Sequence, residues 1–513
     1  MTRLLYDPKA GHDDGGDADA QAEEPRLPPG VVLDDDGWPV GDDVIRDASV
    51  MRLAEHYANA RQSHHGHHTI LRYAGEWYAC RRDRCGHEVI ADELLAADVL
   101  RHLDGLLKPV VDRHGKPTGA VCGFCPTIRQ RDGAIEALKS TVAQLRGDVP
   151  KWVGINPPDL PPRSTITFRN GVLNLDAWLA GSDTLVPPDP RWFCPAALPF
   201  DYDPNAGKPT VWLKFLDSLA LKPDERDLLQ MWMGYLLTPD TSQQKALMFV
   251  GPKRSGKGTI MRTMTHLVGV ANTASPTLGS LGTNFGLQPL VGKRLATITD
   301  ARLSGRTDQA VVTERLLSIT GEDSQTIDRK HREPVTLKLD ARFVVATNEL
   351  PRLADSSGAL SGRMLILPLR RSFYGNEDHG LSDRLAAELP SIVVWAMEGL
   401  AMLREQGRFE QPASGASMQQ EMDDLGSPVA AFVREWCEVG AGNSVPCGEL
   451  YGSWRRWCDA AGRGATNRQI FGRDLAAAVP GITTANRRDD FAASGRTRHY
   501  EGIGLMAEGK AAP

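Results

Sequence analysis

The residues with the clearest chemistry form a glycine-framed loop in the middle of the chain. The segment GPKRSGKGT follows the apolar run ALMFV and precedes a helical pattern. This order of strand, loop and helix is the context in which G-x-x-x-x-G-K binds phosphate, with backbone N–H groups, the lysine charge and the helix N-terminus all facing the anion. The predicted nucleotide-binding residues are Gly251, Pro252, Lys253, Arg254, Ser255, Gly256, Lys257, Gly258 and Thr259.

The loop departs from the usual pattern at the residue after the lysine. Gly258 stands where a serine or threonine is usual, and the hydroxyl comes one position later, at Thr259. We expect Thr259 to bind Mg²⁺ directly or through water. The same GKGT ending occurs in nucleoside monophosphate kinases, so the loop alone leaves a small-molecule kinase open.

Two later apolar runs end in polar side chains. RLATITD ends at Asp300, and ARFVVATN ends at Asn348. An acid at the carboxyl end of a parallel strand can hold Mg²⁺ opposite the loop, and an amide there can orient an attacking water. The ordinary alternatives are an aspartate that caps a turn and a buried asparagine that satisfies backbone groups.

Taken together, these motifs resemble the superfamily 3 helicases. Within that group the chain is most similar to the phage/plasmid primase-helicase family, to which the poxvirus primase-helicase also belongs. The segments FRNGVLNL, PFDYDPNA, VGKRLATITDARL, SITGEDSQTIDRKH, FVVATNELPRL and SGRMLILPL follow in that family's order. The resemblance extends over roughly residues 70–505.

The resemblance implies roles for individual residues. Lys257 and Thr259 bind nucleotide and metal, Asp300 is the Walker B acid, and Asn348 is the sensor. Arg363, in SGRMLILPL, is the implied arginine finger that enters the site of a neighbouring subunit.

Two points about catalysis stay open in the sequence. Arg352 is a second candidate for the finger, and the alternative for Arg363, which the motif context disfavours, is a surface arginine at the start of a strand. Many superfamily members have two adjacent Walker B acids, whereas Thr299 and Ala301 flank the single acid here. The general base therefore stays undecided between Glu314 and Glu322.

A charged hairpin is predicted between the acid and the sensor. In TIDRKHREPVTLKL, alternating residues flank the charged tip DRKHR. In superfamily 3 helicases, a Lys-His pair at this position grips the phosphates of the strand in the central pore, and Lys330 and His331 match that pair. The alternative is a solvated hairpin with mixed charge.

The C-terminal residues predict a separate basic module. PVAAFVREW, ELYGSWRRWCDAAG and NRQIFGRDLAAAV predict three helices, and the residues after them predict a hairpin. This arrangement is typical of a winged helix, which binds either DNA or another protein. The predicted DNA-binding residues are Arg468 and Arg473 on the third helix and Arg487 and Arg488 near the wing.

The fold class is therefore multi-domain α/β, with an AAA+-like P-loop ATPase core between a mixed α+β domain and a winged helix. The expected parts are a disordered acidic tail (1–45), a helicase-associated domain (46–204), the ATPase domain (205–375), a helical segment and linker (376–427) and the winged helix (428–508).

Composition narrows the class of protein. Of 513 residues, 41% are hydrophobic and 24% charged, and the net charge is −6. Residues 1–45 hold twelve Asp or Glu against three Arg or Lys, so this tail carries −9 and leaves +3 on the rest. No apolar run approaches the roughly 18 residues of a membrane span, and no signal peptide is evident. We expect a protein of the bacterial host cytoplasm with no membrane contact.

Four cysteines occur in pairs. Cys80-x4-Cys85 and Cys122-x2-Cys125 predict either one tetrahedral zinc site or reduced structural thiols.

The sequence thus predicts an ATP- and Mg²⁺-dependent DNA helicase that forms a homo-hexameric ring in phage, prophage or plasmid replication. Its expected partners are single-stranded and forked DNA and a separate primase or polymerase, because residues 1–45 are too short for a primase domain. The alternatives are an ATP-regulated DNA-binding initiator without unwinding activity and, from the loop alone, a P-loop kinase.

Overall fold

The computed structural model describes residues 27–61, 66–80, 84–154, 157–182, 184–301, 308–351, 353, 355, 358–488 and 496–506. Arg352 and residues 1–26 of the expected tail lie outside this range. The chain divides into two compact units, one formed by the stretches up to Ala60 and Ala91–Val142, the other by Arg61–Ile90 and Ala143 onward. The predicted single domain over 46–204 is thus divided between the two units. The cause is a parallel pairing of Ile70–Tyr73 with Gln144–Leu145, which returns the chain to the second unit.

In its described residues, the first unit consists of three helices and two small antiparallel sheets. Its helices are Val50–Ala60, Asp92–Asp104 and Ile128–Thr141, and its strands are Val32–Leu33, Pro39–Val40, Leu107–Val111 and Pro117–Gly123. The prediction of disorder is wrong for residues 27–45. Val31 and Ile45 are buried there, and Asp34 binds Arg46 at 2.6 Å and accepts a hydrogen bond from the Trp38 N–H, which stabilises a turn despite the acidic composition.

Three small sheets precede the central domain of the second unit. Their strands are His87–Ile90, Glu76–Cys80, Ile70–Tyr73 and Gln144–Leu145 in the first, Thr165–Phe168, Gly171–Asn174 and Leu185–Val186 in the second, and Trp192–Phe193 and Lys151–Trp152 in the third. In the second sheet, Phe168 pairs with Gly171 around a two-residue turn.

Five parallel strands form the sheet that positions the site, here called the core sheet. Their spatial order is Thr273–Ala274, Leu295–Ile298, Arg342–Thr347, Ala246–Val250 and Met364–Pro368. The three central strands are buried along their whole length, as the apolar runs predict for a sheet covered on both faces.

Helices cover both faces of the core sheet. They are Thr210–Ser218, Pro223–Leu237, Lys257–Val268, Leu278–Leu281, Gln309–Thr320, Ala359–Arg363, Leu381–Ala387, Leu389–Gln406 and Ala413–Gly426, and a shorter helix, Leu175–Leu179, lies earlier in the chain. Pro223–Leu237 packs closely on Leu389–Gln406, because a Cβ on Gly234 would lie 2.2 Å from the Ala396 carbonyl oxygen. Among the described residues no single helix has the length and apolar character to cross a membrane; the bent pair Leu381–Ala387 and Leu389–Gln406 meets that test by length and composition alone.

The expected linker after the central domain is a helix instead. Residues of the segment ASGASMQQEMDDLG form Ala413–Gly426, which packs on the edge strand Met364–Pro368. Gly415 permits this approach, since a Cβ there would lie 2.2 Å from the Ile366 carbonyl oxygen, and the Gln411 amide pairs with both backbone groups of Ile366. Tertiary packing therefore overrides the loop-like composition.

The C-terminal module contains three helices and a three-stranded antiparallel sheet. The helices are Pro428–Trp436, Cys447–Ala460 and Arg468–Ala478, and the sheet order is Cys437–Pro446, Arg496–Leu505, Thr483–Arg488. The first strand was absent from the sequence prediction, because Gly440 and Gly442 interrupt its alternation. Phe432, Trp454 and Phe471 form the core of the module.

Candidate functional site

The glycine loop joins the core strand Ala246–Val250 to the helix that begins at Lys257. Gly251 cannot be another residue without rearrangement, because a Cβ there would lie 2.1 Å from the Leu369 carbonyl oxygen. Gly256 has a φ of +90°, which favours glycine, and a Cβ there would meet Leu219 at 2.8 Å. The glycine spacing noted in the sequence is therefore a packing requirement of this loop.

Lys257 folds back over the loop. Its Nζ donates to the carbonyl oxygens of Gly251 at 2.6 Å and Pro252 at 2.7 Å, and it lies 3.2 Å from the Ser255 hydroxyl. The same Nζ lies 3.2 Å from Oδ1 of Asn348. Burial lowers the pKa of Lys257. An anion bound in the loop would offset this effect, because it favours the charged ammonium.

The structure thus brings together two of the predicted residues, Lys257 and Asn348, from positions 91 residues apart. The strand Arg342–Thr347 pairs directly with the loop strand, and the Gly251 N–H donates to the Thr347 carbonyl oxygen at 3.3 Å. The Thr347 hydroxyl donates to the Glu349 carbonyl oxygen at 2.5 Å and so closes the turn that presents Asn348.

Asp300 lies at the same edge of the core sheet, two residues after the strand Leu295–Ile298 ends, and is exposed. That strand is the neighbour of the Asn348 strand. Thr259 lies in the first turn of the helix that follows the loop, and its hydroxyl accepts a hydrogen bond from Arg262 at 3.2 Å. Carboxylate and hydroxyl oxygens are hard donors of the kind that Mg²⁺ prefers.

A segment that the sequence prediction missed lies along the glycine loop. After the edge strand ends at Pro368, the Ser372 hydroxyl donates to the Lys253 carbonyl oxygen at 2.9 Å. The Phe373 N–H donates to the Arg254 carbonyl oxygen, also at 2.9 Å, and Arg254 forms an ion pair with Glu377 at 3.3 Å. The signal in the sequence was the polar run RRS directly after SGRMLILPL.

Arg363 directly precedes the strand Met364–Pro368, which runs parallel to the loop strand. It therefore lies at the amino ends of the core strands, whereas the glycine loop lies at their carboxyl ends. Its guanidinium donates to the Leu317 carbonyl oxygen and, at 3.0 Å, to the Thr320 hydroxyl. Arg363 therefore caps the end of Gln309–Thr320. This placement excludes a contact with its own loop.

The two candidate bases lie in different surroundings. Glu314 is exposed on the helix Gln309–Thr320. Glu322 accepts hydrogen bonds from Thr241 at 2.5 Å and from Lys338 at 3.0 Å. Thr241 precedes the strand Ala246–Val250, so Glu322 lies near the amino end of that strand, whereas the glycine loop follows its carboxyl end. Burial raises the pKa of Glu322, but these hydrogen bonds outweigh burial, so the pKa lies below its usual value.

The charged hairpin is formed by Ser324–Arg329 and Arg332–Lys338, which pair antiparallel. Arg329 pairs with Arg332 around the two-residue turn Lys330-His331, and His331 has a φ of +60°. Both turn residues are exposed. The structure therefore places the predicted Lys-His pair at the extreme tip of the hairpin.

The predicted DNA-binding arginines of the C-terminal module differ in their partners. Arg468 and Arg488 are exposed, and Arg473 is exposed beside Asp474 at 3.0 Å. Arg487 binds Glu501 through two hydrogen bonds of 2.8 and 2.7 Å, which largely neutralises its charge. Fewer of the four predicted arginines are therefore available to bind an anion than the sequence alone indicates.

Among the described residues, no group of three or more His, Cys, Asp or Glu side chains is placed to hold a metal ion, so the structure adds no support for the zinc alternative. Cys122 and Cys125 are exposed in the first unit. Cys80 and Cys85 belong to the second unit, where Cys85 packs with Val172 and Cys194 in an apolar cluster. Burial raises the pKa of Cys85 to about 12, which keeps it a thiol.

Comparison with known proteins adds two family matches. Residues 51–220 match the family described as D5 N terminal like. Residues 249–364 match DUF5906, a family of unknown function, and this segment includes the glycine loop, Asp300, Asn348 and Arg363.

Solved structures are similar at low identity. One apo structure of the NrS-1 C terminal region has 11% sequence identity and a TM-score of 0.43, and the match covers 90% of this chain and all of that one. A second, the A form, has 11% identity and a TM-score of 0.40, with 84% and 94% covered.

Proposed function

We propose that this chain is an ATP-dependent DNA helicase of the superfamily 3 type that acts in the replication of a phage, prophage or plasmid. The observation that carries the proposal is the convergence of Lys257 and Asn348, 3.2 Å apart, at the carboxyl edge of a parallel sheet. Ligands bind at this edge in open α/β sheets. The D5 N-terminal-like match over residues 51–220 supports the same class, since it covers the part of the chain ahead of the core sheet.

The side chains at the loop have the chemistry that phosphoryl transfer to water needs. Lys257 would exchange the carbonyl oxygens of Gly251 and Pro252 for phosphate oxygens of ATP. Asn348, already beside the ammonium, would orient the attacking water. Thr259 and Asp300 would hold Mg²⁺, which when bound neutralises charge on the phosphate oxygens.

The charged hairpin gives ATP turnover a route to DNA. It lies in the chain between the Asp300 strand and the Asn348 strand, both of which lead to the proposed nucleotide site. Lys330 and His331 at its tip are exposed and would contact phosphates without regard to sequence, as a translocating motor requires. In a homo-hexameric ring these tips would line the pore.

The ring also gives Arg363 a place to act. Since Arg363 cannot reach its own loop, a catalytic role needs a neighbouring subunit. In that subunit's site it would stabilise charge on the transferring phosphoryl group. We expect the C-terminal module to hold duplex DNA and a separate primase or polymerase to complete the replication machinery.

A second candidate is an ATP-regulated DNA-binding initiator. It is favoured by one specific observation: Asp300 is flanked by Thr299 and Ala301, without the second acid that would serve as a base. Such a protein would assemble on DNA with ATP but would not separate strands.

Unwinding of forked DNA distinguishes the two. Purified protein, ATP and a fluorescently labelled fork should release the labelled strand, and electron microscopy of the same sample should show rings. The matched control is a non-hydrolysable ATP analogue, which should support ring assembly without strand release. Rings on DNA with no strand release in ATP would favour the initiator.

A further inference from the structure

The tip of the charged hairpin is held against another part of its own unit. Nη1 of Arg329 donates to the Ala74 carbonyl oxygen at 2.5 Å, and its Nε and Nη2 donate to the Glu333 carbonyl oxygen at 2.9 and 2.7 Å. The Arg329 side chain is only 8% exposed. Arg329 is therefore committed to backbone oxygens and fixes the hairpin on the turn Ala74–Glu76, here called the docking turn.

Glu76 adds a charged contact at the same point. Its Oε1 forms an ion pair with Nη1 of Arg329 at 3.6 Å and a closer one with Nη1 of Arg332. The Arg332 side chain is 33% exposed and that of Glu76 is 21% exposed. Carboxylate and phosphate oxygens are recognised by a guanidinium in the same way. Glu76 thus binds the Arg332 guanidinium where a nucleic-acid phosphate would bind it.

The docking turn is shaped for this contact. Gly75 has a φ of +76°, which favours glycine, and a Cβ there would lie 2.9 Å from Nη2 of Arg329, so the guanidinium lies directly against this turn. On another side, the Lys330 N–H donates to Oε1 of Gln288 at 3.1 Å. The tip is therefore anchored from two directions, while the Lys330 and His331 side chains remain exposed.

We propose that Glu76 is an autoinhibitory latch that masks Arg332 from single-stranded nucleic acid. Release of Glu76 removes this carboxylate from Arg332, so that a phosphate can compete for the guanidinium beside Lys330 and His331, and movement of the hairpin requires this release. Arg332 is the residue released because it is partly exposed, whereas Arg329 is buried on backbone oxygens. That the ligand is single-stranded nucleic acid rests on the proposed function, whereas the latch itself rests on the contacts of Glu76, Arg329 and Arg332.

The variant Glu76→Gln tests the latch because it keeps the shape of the side chain and removes its charge. We expect several-fold tighter binding of a fluorescent oligothymidylate. The salt dependence should be steeper by roughly 0.7 for each additional phosphate contact. Without DNA, amide hydrogen exchange in residues 324–338 should be faster than in the wild type. Glu88→Gln is the matched control, since it makes the same charge change in the adjacent strand at a carboxylate paired with Arg84, and it should show neither effect.

A second substitution separates masking from general loosening. In Glu76→Gln/Arg332→Gln, the gain in affinity should disappear while hairpin exchange stays fast. Faster exchange without tighter binding in Glu76→Gln would show that the contact is only structural and would overturn the masking. Unchanged exchange would overturn the latch. If wild-type protein fails to bind the oligothymidylate, the proposed function and the role of Arg332 fail together, whereas the exchange measurement still reports on the latch.

Discussion

The glycine loop and the charged hairpin use basic residues in opposite ways. At the loop, Lys257 is held by oxygens within six residues of it and by Asn348 on the adjacent strand. At the hairpin, Arg329 is held by a carbonyl oxygen 255 residues earlier in the chain. Local geometry therefore determines what the loop can bind, while a distant turn determines which hairpin charges are available. The first kind of site can be inferred from a motif, and the second only from the fold.

The largest effect should come from the loop. Lys257→Ala removes the side-chain charge directed at the phosphates. The rate of ATP hydrolysis should therefore fall by roughly a thousandfold, which is the upper end of the range for the loss of one preorganised electrostatic group. A steady-state ATPase assay measures this. Lys214→Ala, an exposed lysine on the helix Thr210–Ser218, is the matched control and should retain full turnover. Normal turnover in Lys257→Ala would rule out the loop as the ATPase site.

The next effect concerns Arg363, which would act in the glycine-loop site of a neighbouring subunit. Arg363→Ala should bind ATP normally and hydrolyse it roughly a thousandfold more slowly, at the lower end of the contribution of an arginine finger. Mixed with Lys257→Ala protein, it should regain part of the activity, because some interfaces would combine an intact loop with an intact finger. Co-assembly without any regain would leave Arg363 with only its structural role at Thr320.

A smaller effect is expected at Asp300, where Thr259 remains as a metal ligand. Asp300→Asn should bind ATP and hydrolyse it roughly a hundredfold more slowly, because weaker metal binding costs a few kcal/mol of transition-state stabilisation. Nucleotide binding by fluorescence and turnover at several Mg²⁺ concentrations measure the two parts. Turnover at the wild-type rate would assign the metal ligand to another residue.

How far the sequence predicts this molecule depends on the range of the interactions. The glycine spacing predicts the loop, and the apolar runs predict the core strands, because both depend on neighbouring residues. The helix Ala413–Gly426 depends on Gly415 packing against the Ile366 carbonyl oxygen, which no local pattern reveals. The same holds for Glu76, whose arginine partners follow it by more than 250 positions.

The smallest expected effect concerns stability and a residue outside both regions. His87 is 3% exposed, neither ring nitrogen has a hydrogen-bond partner among the described residues, and burial lowers its pKa to about 3. Since the unfolded chain binds a proton at about 6.5, the free energy of unfolding should fall with pH below that value, by about 2 kcal/mol at pH 5. In urea titrations, His87→Leu should not show this fall in the free energy of unfolding at low pH, whereas the exposed control His379→Gln should show it. Identical pH dependence in wild type and His87→Leu would contradict the assignment.

The most direct test of the account is whether the hairpin couples ATP hydrolysis to DNA. The measurement is the ATPase rate with and without single-stranded DNA, in wild type and in the double variant Lys330→Ala/His331→Ala. If the hairpin couples the two, the double variant should keep its basal rate and its assembly but lose stimulation by DNA, and it should no longer unwind a fork. Full stimulation and wild-type unwinding in the double variant would contradict the account, because the exposed tip would then be a solvated turn with no part in moving DNA.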